Sequence, residues 1–374
     1  MDFELIKEAF LTAIGKIEKK NIKDIPLEER QAYKDHQKKI RQIIVRGKMA
    51  AIVLAVGLIA TVTIAITISG KSAKSHSKSQ SAEATIPAVT ATPTPTATPT
   101  PTPLPYEAKA TASTKSATSD VVSEYAIVIN PDTDEILVDK NAFTQMYPAS
   151  MTKVLTVLTA AEHMTEEDLD KPAYISQEAT DYSFSHGCST AGFDAGEEIT
   201  IRDLYYGTIL PSGGDAAAQL GLQVAGSLDG FVEMMNEELE KLGLSETSHV
   251  TNMIGIHNKD HYSTAYDMAI ILEAAMDNEI CRPVLCAHTY NTTPSNLHSE
   301  GLLMSNWFLR RIEDKEFGGT ILGAKTGYTK EASSCAVSCE EQPDGTVLIC
   351  CTAKSNSSWR AIYDHVALYK MFAK

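Results

Sequence analysis

The seven cysteines, Cys188, Cys281, Cys286, Cys335, Cys339, Cys350 and Cys351, include no pair at Cys-x-x-Cys spacing, and their number is odd. That argues against a zinc or dithiol redox site. Cys335, Cys339, Cys350 and Cys351 lie in apolar, strand-like runs, where a free thiol acts as a small hydrophobe. Free buried thiols are therefore expected rather than disulfides. A basic surface is also missing. Residues 1–48 and 49–118 carry excess Lys and Arg, so 119–374 holds more than the whole net charge of −15. This argues against nucleic-acid binding by that part, and the carboxylates read as a solvated surface. His186, His257 and His261 are not spaced as metal ligands, and no metal site is expected from them.

Charge is absent altogether from "MAAIVLAVGLIATVTIAITIS", residues 49–69. A run of about 21 apolar residues is long enough to span a bilayer as a helix. It is too long, and too far from the N-terminus, for the apolar core of a cleaved signal peptide. An uncleaved signal anchor is expected. Lys34, Lys38, Lys39, Arg41, Arg46 and Lys48 precede it, against Lys71, Lys74 and Lys78 after it. The positive-inside rule then puts residues 1–48 in the cytoplasm and the remainder outside the cell. "FELIKEAFLTAIGKIEKK" reads as a short amphipathic helix in the cytoplasmic piece. Residues 70–118, with "TPTPTATPTPTPLP" at their centre, cannot pack a core and read as an extended stalk. At about 3.1 Å per residue in polyproline II, the stalk reaches on the order of 100 Å.

A single globular domain is expected over 119–374. "EYAIVIN" and "EILVDK", separated by "PDTD", predict a strand hairpin. A long, mainly helical middle follows. "TILGAKTGY", "SSCAVSCE" and "TVLICCTA" predict three strands, the last two joined by "EQPDG", and "SSWRAIYDHVALYKMF" a closing amphipathic helix. The economical fold is α+β: one antiparallel sheet built from both ends of the domain, with helices packed on it.

Three short stretches carry candidate chemistry. In "YPASMTKVLTVLTAAEHM", Met151, Val154, Leu155 and Leu158 recur with helical spacing. Ser150 and Lys153 then share a face in the first turn. The positive end of the helix dipole favours negative charge near the serine, and a desolvated lysine there can take its proton. The bland alternative is a capping serine beside a solvated lysine. In "PSGGDAA", residues 211–217, the bland reading is a turn opening a helix with Ser212 as N-cap. The sharper one has Ser212 projecting toward Ser150 and Lys153. In "GAKTGYTKEA", Lys325 sits in an otherwise apolar strand, which is costly unless it faces a cleft or a partner. Gly327 lets another backbone approach that strand. Its edge can pair with an extended peptide whose carboxylate Lys325 and Thr326 would hold. Alone, this triplet is more often a turn. Thr264, three before Asp267, predicts a capping box opening "AYDMAIILEAAM".

Ser150-x-x-Lys153, Ser212-Gly213-Gly214 and Lys325-Thr326-Gly327 follow one another as in the penicillin-recognising serine enzymes. Together with "LPSGGDAA", "IHNKDHYSTAYDMAIIL" and "GAKTGYTKEA", they make the chain resemble the serine-type D-alanyl-D-alanine carboxypeptidases, the low-molecular-mass penicillin-binding proteins. The resemblance covers about 119–374 and implies a β-lactamase/transpeptidase-like fold. It implies Ser150 as the nucleophile and Lys153 as the general base. Ser212 would link Lys153 to the leaving-group nitrogen, and Lys325 and Thr326 would bind the substrate's terminal carboxylate. Gly327 and Tyr328 belong to the same substrate-binding strand, with the backbone N–H groups of Ser150 and Tyr328 as oxyanion hole. The implied partners are the peptidoglycan stem peptide ending in D-Ala-D-Ala and β-lactam inhibitors.

Two departures stand out. Gly214 takes the substrate-binding position where the family usually has asparagine, and a slower acylation or a water in its place is expected. The chain is also expected to lack the extra β-rich domain and C-terminal membrane helix of many relatives, with the N-terminal anchor and stalk replacing that tether. A class A β-lactamase would need a Glu-x-x-Leu-Asn run between the second and third motifs, and none lies between Asp215 and Lys325. The remaining alternative is a non-catalytic penicillin-binding sensor or wall-binding module.

Overall fold

The computed structural model describes residues 106–373. The expected cytoplasmic segment, the membrane span at 49–69 and most of the stalk lie outside the described residues. Among the described residues, no helix is long and apolar enough to cross a membrane.

The chain enters through β1 (Lys109–Ser116), then forms a hairpin of β2 (Tyr125–Asn130) and β3 (Glu135–Lys140). The helical middle comprises α1 (Thr152–Ala161), α2 (Gln177–Ser185), α3 (Ile201–Ile209), α4 (Gly214–Ala225), α5 (Leu228–Lys241), α6 (Ala265–Asp277) and α7 (Cys281–Cys286). Two short strand pairs are set into and after it, β4 (Pro172–Tyr174) with β5 (Glu198–Thr200), and β6 (Thr289–Asn291) with β7 (Leu303–Ser305). After the short α8 (Leu309–Ile312) come β8 (Thr320–Thr329), β9 (Ser333–Glu341), β10 (Val347–Ser355) and the closing helix α9 (Ser358–Lys370).

The main sheet has the order β1-β3-β2-β10-β9-β8. Pairing of β2 with β10 joins the two ends of the domain, as the strand pattern predicted. Two expectations need correction. The sheet is mixed, because β1 runs parallel to β3, whereas an antiparallel sheet was expected. Residues 109–116 are also a strand, although they fall within the segment read as stalk. The sequence KATASTKS hides it, being polar and mostly exposed. Backbone and hydroxyl bonding hold it instead: Lys109 N–H donates to Asp134 O at 2.8 Å and Thr114 Oγ1 to Ile136 O at 2.6 Å.

Both faces of the sheet are covered, so its central strands are apolar on both sides. Ile127, Ile129, Val337, Cys339 and Cys351 pack with α1, α4 and α6 in the larger core. Ala126, Val128, Ala336, Leu348 and Cys350 pack with Phe308, Ile362 and Tyr369 in a second core beneath α8 and α9. Period-two alternation along each strand divides neighbours between the two layers. Thr264 caps α6 by accepting the Asp267 N–H at 3.0 Å, but the Asp267 carboxylate accepts Ser248 Oγ at 2.5 Å.

Candidate active site

Ser150 lies in a single 3-10 turn, Ala149–Met151, that runs straight into α1. The turn is unusual, since Ala149 has φ +47°. Two glycines make room for it. A Cβ on Gly255 would lie 1.8 Å from Ala149 O and 2.9 Å from Ser150 N. A Cβ on Gly327 would lie 2.8 Å from Pro148 O and 3.0 Å from Ser150 N. Any side chain at either position would displace the serine's turn. Cys335 Sγ donates to Pro148 O at 3.3 Å and ties β9 to the same turn.

Lys153 follows one turn later and is fully buried. Its Nζ donates to Ser150 Oγ at 3.0 Å and to Ile254 O at 2.9 Å. The second contact depends on Asn252, whose Oδ1 accepts the N–H groups of Ile254, Gly255 and Ile256 at 3.1, 2.8 and 2.9 Å. This curls the loop so that a carbonyl faces the ammonium. Burial lowers the Lys153 pKa to about 8, partly opposed by Cys188 and Asp215. A lysine in that range is neutral often enough near neutral pH to accept a proton. The helix is also tied down beside Lys153 by Thr152 Oγ1, 2.8 Å from Nε2 of the buried His261. Burial holds that imidazole at about 3, so it stays neutral.

Ser212 does not cap α4; Gly213 is the N-cap. Ser212 itself has φ +62°, a conformation that turns its side chain out of the helix path. Its Oγ accepts from Lys325 Nζ at 2.9 Å, and the same ammonium donates to Thr326 O at 2.8 Å. Lys325 is buried, and burial followed by repulsion from Lys153 depresses its pKa well below the ordinary lysine value. The three motifs therefore converge: the 3-10 turn brings Ser150 and the first turn of α1 brings Lys153, the turn before α4 brings Ser212, and β8 brings Lys325. Ser150, Lys153, Ser212, Thr326, Gly327 and Tyr328 all line one cleft of about 890 Å³. Tyr328 stands 67 % exposed at its mouth.

Gly214 departs from its expected place in the cleft, being buried. A Cβ there would lie 2.8 Å from Cys188 Cβ, 2.8 Å from Ser183 Oγ and 3.2 Å from Ile254 Cδ1. Cys188, which lines the cleft, thus fills the space that a side chain at 214 would need. Asp215 clamps the loop beyond it, accepting from Thr190 Oγ1 at 2.5 Å and from the N–H groups of Ala191 and Gly192 at 2.8 and 3.2 Å. The sequence reading missed Cys188, Asp215 and the Ile254 carbonyl. Asp215 alone had a signal, as an acidic residue directly after the Ser-Gly-Gly triplet. Among the described residues, no three His, Cys, Asp or Glu side chains gather closely enough to hold a metal ion.

Comparison with known proteins points the same way. Residues 110–352 match the family profile Peptidase S11, described as D-alanyl-D-alanine carboxypeptidase. The chain is 30 % identical over 210 residues to the D-alanyl-D-alanine carboxypeptidase DacF of Bacillus subtilis, covering 56 % of this chain. It spans about half of that relative, 52 % of its length. It is 32 % identical over 246 residues to a D-alanyl-D-alanine carboxypeptidase of Streptomyces sp. strain K15, covering 64 % of this chain and 82 % of the relative. The crystal structure of the Streptomyces K15 DD-transpeptidase superposes with a TM-score of 0.60 at 26 % identity, covering 67 % of this chain and 98 % of that one.

Proposed function

Because the chain belongs to the Peptidase S11 family of D-alanyl-D-alanine carboxypeptidases, we propose that it removes the terminal D-Ala from peptidoglycan stem peptides ending in D-Ala-D-Ala, and that β-lactams acylate it. The observation that carries this reading is the Lys153 Nζ to Ser150 Oγ contact of 3.0 Å at a buried lysine with a lowered pKa.

In the proposed mechanism, neutral Lys153 takes the hydroxyl proton as Ser150 Oγ attacks the carbonyl carbon of the penultimate D-Ala. Backbone N–H groups of Ser150 and Tyr328 receive the oxyanion. The two glycines that keep side chains away from Ser150 N support this role. The amide bond then breaks. The proton held by Lys153 reaches the departing D-Ala nitrogen through Ser212, which lines the same cleft. Thr326, backed by Lys325, holds the terminal carboxylate. Water attacks the Ser150 ester, releases the shortened peptide and restores the hydroxyl. The reaction uses no metal or organic cofactor. We place the catalytic domain outside the cell on a single N-terminal anchor at 49–69, on the strength of that run's apolarity and its basic flank.

The test is D-Ala release from a D-Ala-D-Ala peptide by the full chain in detergent, beside Ser150→Ala. Release by the wild type alone is expected, with labelled penicillin attached to Ser150. Penicillin labelling without D-Ala release would favour a sensor. Absence of both D-Ala release and penicillin labelling would end the peptidase reading.

A further inference from the structure

One wall of the cleft carries charge that the chemistry at Ser150 does not use. After β7, Asn306 turns the chain into α8. Asn306 Nδ2 donates to Ala324 O at 2.9 Å, one residue before Lys325, and its Oδ1 accepts the N–H groups of Phe308 and Leu309 at 3.0 and 3.2 Å. Phe308 and Leu309 are buried in the second core, while Trp307, Arg310 and Arg311 line the cleft that contains Ser150.

Both guanidinium groups are held but not neutralised. Arg310 Nη1 donates to Ser305 Oγ at 3.0 Å. Arg311 Nη1 donates to Trp307 O at 3.2 Å, and its guanidinium carbon lies 4.1 Å from the Trp307 ring centre and 5.7 Å from that of Trp359. Stacking on an indole orients the planar fork without consuming its charge. Among the described residues, the arginine ion pairs are made by Arg202 and Arg360, and neither Arg310 nor Arg311 has a carboxylate partner. Each keeps N–H donors free for a ligand.

The charge balance of the cleft runs against that of the chain. The net charge is −15, yet, leaving aside Lys153, which acts in its neutral form, the charged side chains lining this cleft are Arg310 and Arg311 against Glu331 alone. A cleft of one sign in a chain of the other concentrates a ligand of opposite charge. The leaving D-Ala carries only its own carboxylate, already taken by Thr326 and Lys325 in the proposed mechanism. Any further anionic group of the substrate must therefore lie on the N-terminal side of the scissile bond.

We infer that Arg310, held by Ser305, and Arg311, steadied by Trp307, form a subsite for a carboxylate upstream of D-Ala-D-Ala, so that the preferred substrate is an acidic peptide. This rests on the peptidase reading above. The test uses the full chain in detergent and peptides ending in D-Ala-D-Ala that differ only by glutamate or glutamine one, two or three residues upstream. For one of the three positions, the glutamate peptide is expected to have a kcat/KM about tenfold higher at low salt, mainly through KM, as a charge-assisted pair gives. Arg310→Gln and Arg311→Gln, checked by circular dichroism for folding, each lower that ratio, and the double variant brings it to about one. Salt at 0.5 M lowers it in the wild type. D-Ala release with a ratio near one at every position overturns the inference while leaving the peptidase reading intact. So does equal loss on both peptides with the ratio preserved, which would assign the arginines to the terminal carboxylate. No release from any peptide ends both.

Discussion

Lys153 and Gly214 show how much burial and packing at a single position matter. Lys153 is buried with its pKa lowered to about 8, so its proton-accepting form grows with pH. Each pH unit below that value leaves about tenfold less neutral amine. The rate of Ser150 acylation by a β-lactam is therefore expected to rise from pH 6 and level off above about pH 8, read by stopped-flow fluorescence. A flat profile over this range would remove Lys153 as the base. At Gly214, the family pattern suggests that asparagine would improve the enzyme. The packing argues the opposite, because a Cβ would lie 2.8 Å from both Cys188 Cβ and Ser183 Oγ. Gly214→Asn is expected to destabilise the domain by about 1–3 kcal/mol, the usual cost of overpacking, and to slow acylation. A lower Tm by calorimetry with a reduced acylation rate is the expected result. The motif triplets were legible because each is a contiguous run. The occupant of position 214's space was not, because Cys188 comes from a different loop.

The element that the sequence hid is β1. Its residues alternate no apolar signal, and only its pairing with β3 marks it as structure. Tyr266, far along the chain, also anchors it, accepting the Ala108 N–H at 3.1 Å. A fragment beginning at residue 119 thus loses a strand and bares the outer edge of β3, which invites edge-to-edge association. Compared with 106–374, a 119–374 fragment is expected to unfold at lower urea, by about 2 kcal/mol for a few net backbone bonds, and to aggregate sooner. Equal midpoints would show that β1 contributes nothing. The hairpin of β2 and β3, the three C-terminal strands and α9 were legible, since burial on two faces writes long apolar runs into a strand.

Across the whole molecule, the two cores separate the cysteines. Cys350 and Cys351 are sequence neighbours that face opposite layers, the first with α9 and the second with the helical middle. All seven thiols are free, and only Cys188 and Cys286 are part-exposed. Titration with Ellman's reagent is expected to find two reactive thiols in the folded protein and five more on unfolding in guanidinium. A β-lactam bound in the cleft is expected to slow the Cys188 reaction. Fewer than seven thiols in the unfolded, unreduced protein would reveal a disulfide.

Sequence alone determined the order of the three motifs, the strands at both ends of the domain and the helical middle, because local periodicity and contiguous triplets are properties of neighbouring residues. Tertiary structure alone decided that Lys153 bonds Ser150 and Ile254 O while Ser212 bonds Lys325, that Cys188 fills the space beside Gly214, and that Arg310 and Arg311, without carboxylate partners, line the same cleft as Ser150. The physical reason is desolvation and close packing between segments far apart in the chain. These set the charge of a lysine and the room for a side chain, and neither follows from the residues on either side.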